Sequence, residues 1–210
     1  MTRLIAYASR TGTKKNLEGL RRAGWRLLCS ATGVLRAEGF RYALDNGAWT
    51  AHQRGEAFNS GKFYKAVELL GEGADWIVLP DIVEGGLESL RFSLSHLCRV
   101  SNKNSSVLLP VQDGMEVSDV APIVGGETGI FIGGSTSWKE ETLPLWSDLA
   151  RVKRCICHVG RVNSMRRISL CQQAGATSFD GSGPSRFSKM LPRLQRQLNQ
   201  PPLPFMRGVR

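Results

Sequence analysis

Along the chain, short apolar runs alternate with glycine-rich or polar turns, and these lead into stretches of helical period. Runs at residues 4–8, 26–29, 41–44, 76–79, 107–111, 129–132, 154–157 and 177–179 predict strands. Helical spacing follows at 15–23, 61–70, 87–100, 138–150 and 163–174, with a short helix near 117–123. The connection at 32–40 is too short for a full helix. Strands alternating with helices imply right-handed crossovers and a parallel sheet. Eight such units predict a compact α/β fold, a (β/α)8 TIM-type barrel over residues 1–198, trailed by a basic, proline-rich tail at 199–210. An open doubly wound sheet is the alternative.

Composition narrows the class. A hydrophobic fraction of 41% excludes disorder over most of the 210 residues. No stretch reaches the roughly 18 consecutive apolar residues of a membrane span. The five-residue apolar run before Ser9 is too short for a signal-peptide core. The expected location is the cytoplasm. The five cysteines are scattered and odd in number, which suits reduced thiols. Only Cys155 and Cys157 are close, and they lack further ligands nearby, so no metal is expected.

Charge is unevenly spread. Residues 1–150 carry 16 Lys/Arg against 17 Asp/Glu, whereas residues 151–210 carry 12 Lys/Arg and one acid, Asp180. A basic final quarter around one carboxylate suggests a polyanionic partner, with a solvated basic face as the plain alternative.

Ligands of parallel α/β folds bind at the carboxyl ends of the strands. Polar groups gather there: Asp45, Asn46, Asp81, Gln112, Asp113, Gly133, Gly134, His158 and Asp180. Any one of the acids can instead cap the next helix. Several in one ring favour a site. Paired carboxylates suit retaining glycosyl transfer, one as nucleophile and one as proton shuttle. A carboxamide and a further carboxylate can read a purine-like edge, and exposed backbone N–H groups at Gly133-Gly134 can hold a carbonyl oxygen or a phosphate.

The order Asp45-Asn46-Gly47-Ala48-Trp49, Pro80-Asp81, Val111-Gln112-Asp113-Gly114, Gly129-Ile130-Phe131-Ile132-Gly133-Gly134 and Ser178-Phe179-Asp180 resembles the tRNA-guanine transglycosylase superfamily. Within it, the chain is most similar to the DNA-modifying, DpdA-like branch of phages and bacterial modification islands. Ser9-Arg10-Thr11-Gly12-Thr13, His158-Val159-Gly160-Arg161-Val162-Asn163 and the segment 179–187 add to the likeness, which spans residues 4–187. The resemblance implies a (β/α)8 pentosyltransferase that exchanges guanine in DNA for a 7-deazaguanine through a covalent Asp-glycosyl intermediate. It implies Asp180 as nucleophile and Asp45 as general acid/base. Asn46, Asp81, Gln112, Gly133 and Gly134 would form the base site. The free 7-deazaguanine base is then the co-substrate, and no organic cofactor is needed.

The family's tRNA enzymes carry a zinc site of three cysteines and a histidine after the nucleophile strand. No Cys or His follows Cys171 here, so neither zinc nor that C-terminal subdomain is expected. This departure and the short chain favour DNA over tRNA. A base must leave its stack to reach Asp180. Arg10, Lys14, Lys15, His158, Arg161 and Arg186 are the candidate nucleic-acid contacts, joined by Arg166, Arg167 and Lys189 near the last strands. Trp49 either stacks on a base or packs in the core, with core packing favoured. His52 and His96 read as structural. Helper proteins are possible partners; a membrane is not expected. Competing readings are an RNA-directed enzyme of the same kind, a barrel enzyme for a small phosphorylated substrate held at Gly133-Gly134-Ser135, and a non-catalytic nucleic-acid-binding subunit.

Overall fold

The computed structural model describes residues 3–10, 13–101 and 105–201. Thr11 and Gly12 of the first-loop motif and residues 202–210 of the tail lie outside the described residues. Eight parallel strands close into one barrel in sequence order: β1 (Ile5–Ser9), β2 (Arg26–Ser30), β3 (Tyr42–Asp45), β4 (Trp76–Val78), β5 (Ser106–Val111), β6 (Thr128–Ile132), β7 (Cys157–Val159) and β8 (Ser178–Gly181). Closure is made by β8 on β1, with Tyr7 level with Asp180. The open-sheet alternative is thereby excluded.

Helices α1 (Lys14–Ala23), α2 (Ala48–Gln53), α3 (Ser60–Leu70), α4 (Gly86–Ser101), α5 (Val117–Val120), α6 (Thr136–Lys153), α7 (Met165–Ala174), α8 (Gly183–Arg186) and α9 (Leu191–Leu198) surround it. Short polar side chains start α3, α6 and α7. Asn59, Ser135 and Ser164 accept from the backbone N–H groups of Lys62, Trp138 and Arg167. The barrel is small because β4 and β7 have three residues each and α5 has four. No helix among the described residues is long and apolar enough to cross a membrane.

Alternation along each strand divides the apolar residues into two sets. Outward residues such as Ala6, Leu27, Leu44, Ile77, Leu109, Ile130 and Phe179 pack beneath the helices. Inward residues Tyr7, Leu28, Ala43, Trp76, Val78 and Leu108 fill the lumen with Phe131. The floor is polar: Tyr7 Oη donates to Asp75 Oδ2 (3.0 Å), and Arg26 and Arg41 pair with the same carboxylate at 3.0 and 2.7 Å. Above it, Trp76 and Phe131 flank the imidazole of His158 at centroid distances of 4.4 and 5.1 Å. Strand alternation then lifts the next inward residues, Asp45 and Asp180, to the carboxyl-terminal rim.

The last strand pair departs from expectation. The run at 154–157 is not the strand; Arg154 ends α6 in left-handed geometry (φ 53°), and β7 begins at Cys157. His158 therefore sits inside a strand rather than beyond one.

Candidate active site

Asp180 is the penultimate residue of β8, only 6% exposed, and is held on two sides. Its Oδ1 accepts from His158 Nε2 (3.1 Å) and from the backbone N–H of Arg161 (3.2 Å). A carboxylate can only accept, so Nε2 of His158 carries the proton. Its Nδ1 then accepts from the Ser178 hydroxyl at 2.8 Å. Burial lowers the His158 pKa and keeps the ring neutral. Ser178, His158 and Asp180 thus form a line from the lumen to the rim that fixes the carboxylate. This corrects the reading of His158 as a nucleic-acid contact: it is 0% exposed and both ring nitrogens are engaged.

Asp45 ends β3 and faces the same cup. Its carboxylate accepts from Gly47 N (3.1 Å), yet its pKa is raised to about 7, chiefly by desolvation and then by the charges of Asp180 and Asp81. Asp81, beyond β4, is raised to about 6 by desolvation, against the opposing pull of Asn46 and Arg161. Asp45 is thus a buried carboxyl group whose proton affinity is raised further by two neighbouring carboxylates, an arrangement suited to proton transfer.

Asn46 is buried, and its polar atoms are spoken for. Nδ2 donates to Leu79 O (2.6 Å) and Asp81 Oδ1 (2.8 Å), and Oδ1 accepts from Ala48 N (2.8 Å). It ties the end of β3 to that of β4 and holds Asp81, which corrects its assignment to the base itself. Gln112, also buried, donates through Nε2 to Ile82 O (2.9 Å) and so fixes the β4–α4 loop. The Gly133 N–H is likewise committed, to Val111 O at 2.8 Å, so it offers no donor to a ligand. Gly134 adopts φ 71°, and a Cβ there would meet Asp113 Oδ2 at 2.5 Å. Asp113 itself accepts from both N and Oγ of Ser135 at 2.6 Å. A carboxylate fills the position where a phosphate would need donors, which removes the phosphate-site reading of Gly133-Gly134-Ser135.

Arg161 spans the mouth. Its guanidinium donates to Gly134 O and lies 4.1 Å over the ring of Trp49. Trp49 is not core: it is 36% exposed, stacked against His52 on one side of the cup. The Arg161 backbone is left-handed (φ 61°), which turns its N–H toward Asp180. Arg161 is thus at once part of the carboxylate cradle and the bar across the opening.

The remaining cations divide. Arg10 is tied to Glu38, and Arg166 and Arg167 both hold Glu140. Arg10 is therefore a structural ion pair rather than a free phosphate contact. Lys14, Lys15, Arg186 and Lys189 are exposed. They lie on neighbouring elements, because Asn16 Nδ2 donates to Ser185 O (2.7 Å) and joins α1 to α8, while Ser185 Oγ donates to Ser9 O at the end of β1. Phe187, 63% exposed, stands in the same stretch; the sequence had placed it in the 179–187 segment without giving it a role of its own. Among the described residues no three His, Cys, Asp or Glu side chains gather as a metal site. No family model matches the chain, and no curated protein matches it either.

Proposed function

We propose that this barrel is a DNA-guanine transglycosylase. The carrying observation is the cup itself: Asp180 held by His158 and the Arg161 amide, facing Asp45, whose pKa of about 7 lets it give and take a proton near neutrality. In the proposed reaction Asp180 attacks the sugar C1′, the C1′–N9 bond breaks, and the electron pair leaves on guanine N9. Asp45, protonated, delivers its proton to the departing base. The glycosyl ester on Asp180 is then attacked at C1′ by N9 of a 7-deazaguanine, whose proton returns to Asp45, and the carboxylate leaves. Two inversions give retention. Asp81 would hold the base edge; Asn46 and Gln112 would position rather than touch it. The exposed Lys14, Lys15, Arg186 and Lys189 would carry the backbone phosphates flanking an extruded nucleotide.

The resemblance to DpdA-like enzymes supports DNA as the polymer, and the exposed rim cations support a polyanion of some kind. A non-catalytic binding subunit would leave unexplained three carboxylates gathered within a basic region, where they weaken polyanion binding.

The test is exchange of labelled guanine or 7-cyano-7-deazaguanine into duplex DNA, single-stranded DNA and tRNA. Incorporation into DNA that disappears in Asp180→Asn and Asp45→Asn is the expected result. Incorporation into tRNA alone would assign the RNA reading. DNA binding without exchange, with both variants binding as well as wild type, would assign the subunit reading.

A further inference from the structure

Lys139 is a buried cation with no carboxylate within ion-pair distance among the described residues. It is 7% exposed on the inner face of α6, and its Nζ donates at 2.7 Å to the carbonyl oxygen of Gly160. That carbonyl belongs to the same peptide group as the Arg161 N–H, which donates to Asp180 Oδ1 at 3.2 Å. The planar Gly160–Arg161 amide therefore has an ammonium at its oxygen end and the carboxylate at its nitrogen end. An amide polarised at its oxygen is a better donor at its nitrogen, because hydrogen bonds in a chain strengthen one another.

The peptide is fixed for this task. Gly160 N donates to Ile132 O (3.0 Å) and Val162 N to Asp180 O (2.6 Å), so neither neighbouring peptide can rotate without breaking the barrel ladder. A Cβ at Gly160 would meet Phe131 Cζ at 2.9 Å, which keeps the position open for the close approach of the strand.

We propose that Lys139 is a positioning residue for Asp180, acting through the Gly160–Arg161 peptide to orient the carboxylate and steady its negative charge. This deepens the transglycosylase reading and rests on Asp180 being the nucleophile there. A lysine with only a structural duty at this place would be replaced at little cost by an apolar residue, since burying the ammonium is itself unfavourable. Its pKa is lowered to about 8, by desolvation first and then by Arg161, so its charge is lost within an accessible pH range. Arg161, Asp180, Arg167 and Cys171 face it from the β7–α7 loop, β8 and α7. Asp113 and His158 also feel its charge, and Glu140 adjoins it on α6. Four of these groups are driven away from its range: burial pushes Cys171 far up and His158 down, Ser135 holds Asp113 low, and the two arginines hold Glu140 low.

The experiment follows the Arg161 amide proton by NMR in the full chain as pH rises. In wild type its shift should move with a midpoint near 8, as Lys139 loses its charge. In Lys139→Met that step should vanish, leaving only the steps from Asp45 and Asp81 at lower pH. The amide signal of Lys139→Met should lie upfield, as it should in Asp180→Asn, which removes the charged acceptor. If exchange is observed, Lys139→Met should lower kcat about tenfold, the loss of one charge-assisted hydrogen bond, with KM little changed. A flat Arg161 amide in wild type between about pH 7 and 9, or an unchanged step in Lys139→Met, overturns the proposal. The wild-type titration stands even if the variant does not fold. An NMR step in a protein that exchanges no base would leave the relay in place and sink the nucleophile assignment instead.

Discussion

Each residue of the cup does a different physical job, and these jobs make separable predictions. Asp45 and Asp81 carry raised pKa values of about 7 and 6. A carboxyl group whose folded pKa exceeds its unfolded one stabilises the fold fully below the unfolded pKa and loses that contribution as pH rises through the folded pKa. Thermal unfolding should therefore show Asp45→Asn gaining Tm over wild type as pH climbs from 4 to 8, while activity is lost; a constant Tm difference across that range would contradict the assigned proton affinity. As the proposed acid of the first step, Asp45 should also make kcat/KM fall above about pH 7. Arg161, lying on Trp49 and bonded to Gly134 O, narrows the mouth. Much of this was legible beforehand. Asp45, Asp81 and Asp180 follow apolar runs, and that pattern places them at strand ends. The commitments of Asn46, Gly133 and Asp113 were not legible, because which atom satisfies a buried polar group depends on neighbours 20–35 positions away.

At the scale of elements, alternation of apolar runs with helical stretches sufficed to predict the barrel, since the eight units need no long-range information. It failed where two periodicities overlap. In 154–157, Cys155 and Ile156 extend the apolar pattern, but Arg154 is needed as the left-handed end of α6, and the strand starts three residues later. The helices after β8 had no counterpart among the predicted elements; Pro184 and Pro192 each occupy the first turn of a helix there, where no N–H is required. Helix α9 is nonetheless part of the barrel. Leu194 and Leu198 are buried, Trp25 Nε1 donates to Gln195 Oε1 at 2.6 Å, and Gln172 Nε2 donates to Leu198 O at 3.2 Å. Leu194→Ala should lower the unfolding free energy by about 2–4 kcal/mol in denaturant melts, as for other buried leucines. A loss below about 1 kcal/mol would mean that α9 is docked loosely.

Over the whole molecule, charge is segregated: carboxylates gather inside the mouth and cations on its rim, a gradient that suits a substrate with a polyanionic frame and a proton-exchanging centre. If Lys14, Lys15, Arg186 and Lys189 each meet one phosphate, log Kobs for DNA should fall with log salt at a slope of about −3 to −4. Replacing Lys14 and Lys15 with alanine should cut that slope by roughly half, as two of the four contacts disappear. A flat response would point to a small-molecule substrate. The covalent role of Asp180 is the central claim, and trapping its adduct reaches it most directly. Enzyme mixed with guanine-containing DNA and quenched in denaturant should yield a protein–DNA species. Peptide mapping should place the sugar on Asp180, and Asp180→Asn should give no such species. Free 7-deazaguanine added before the quench should discharge it. A link mapped to any other side chain, or exchange that proceeds with no link formed, would contradict the account.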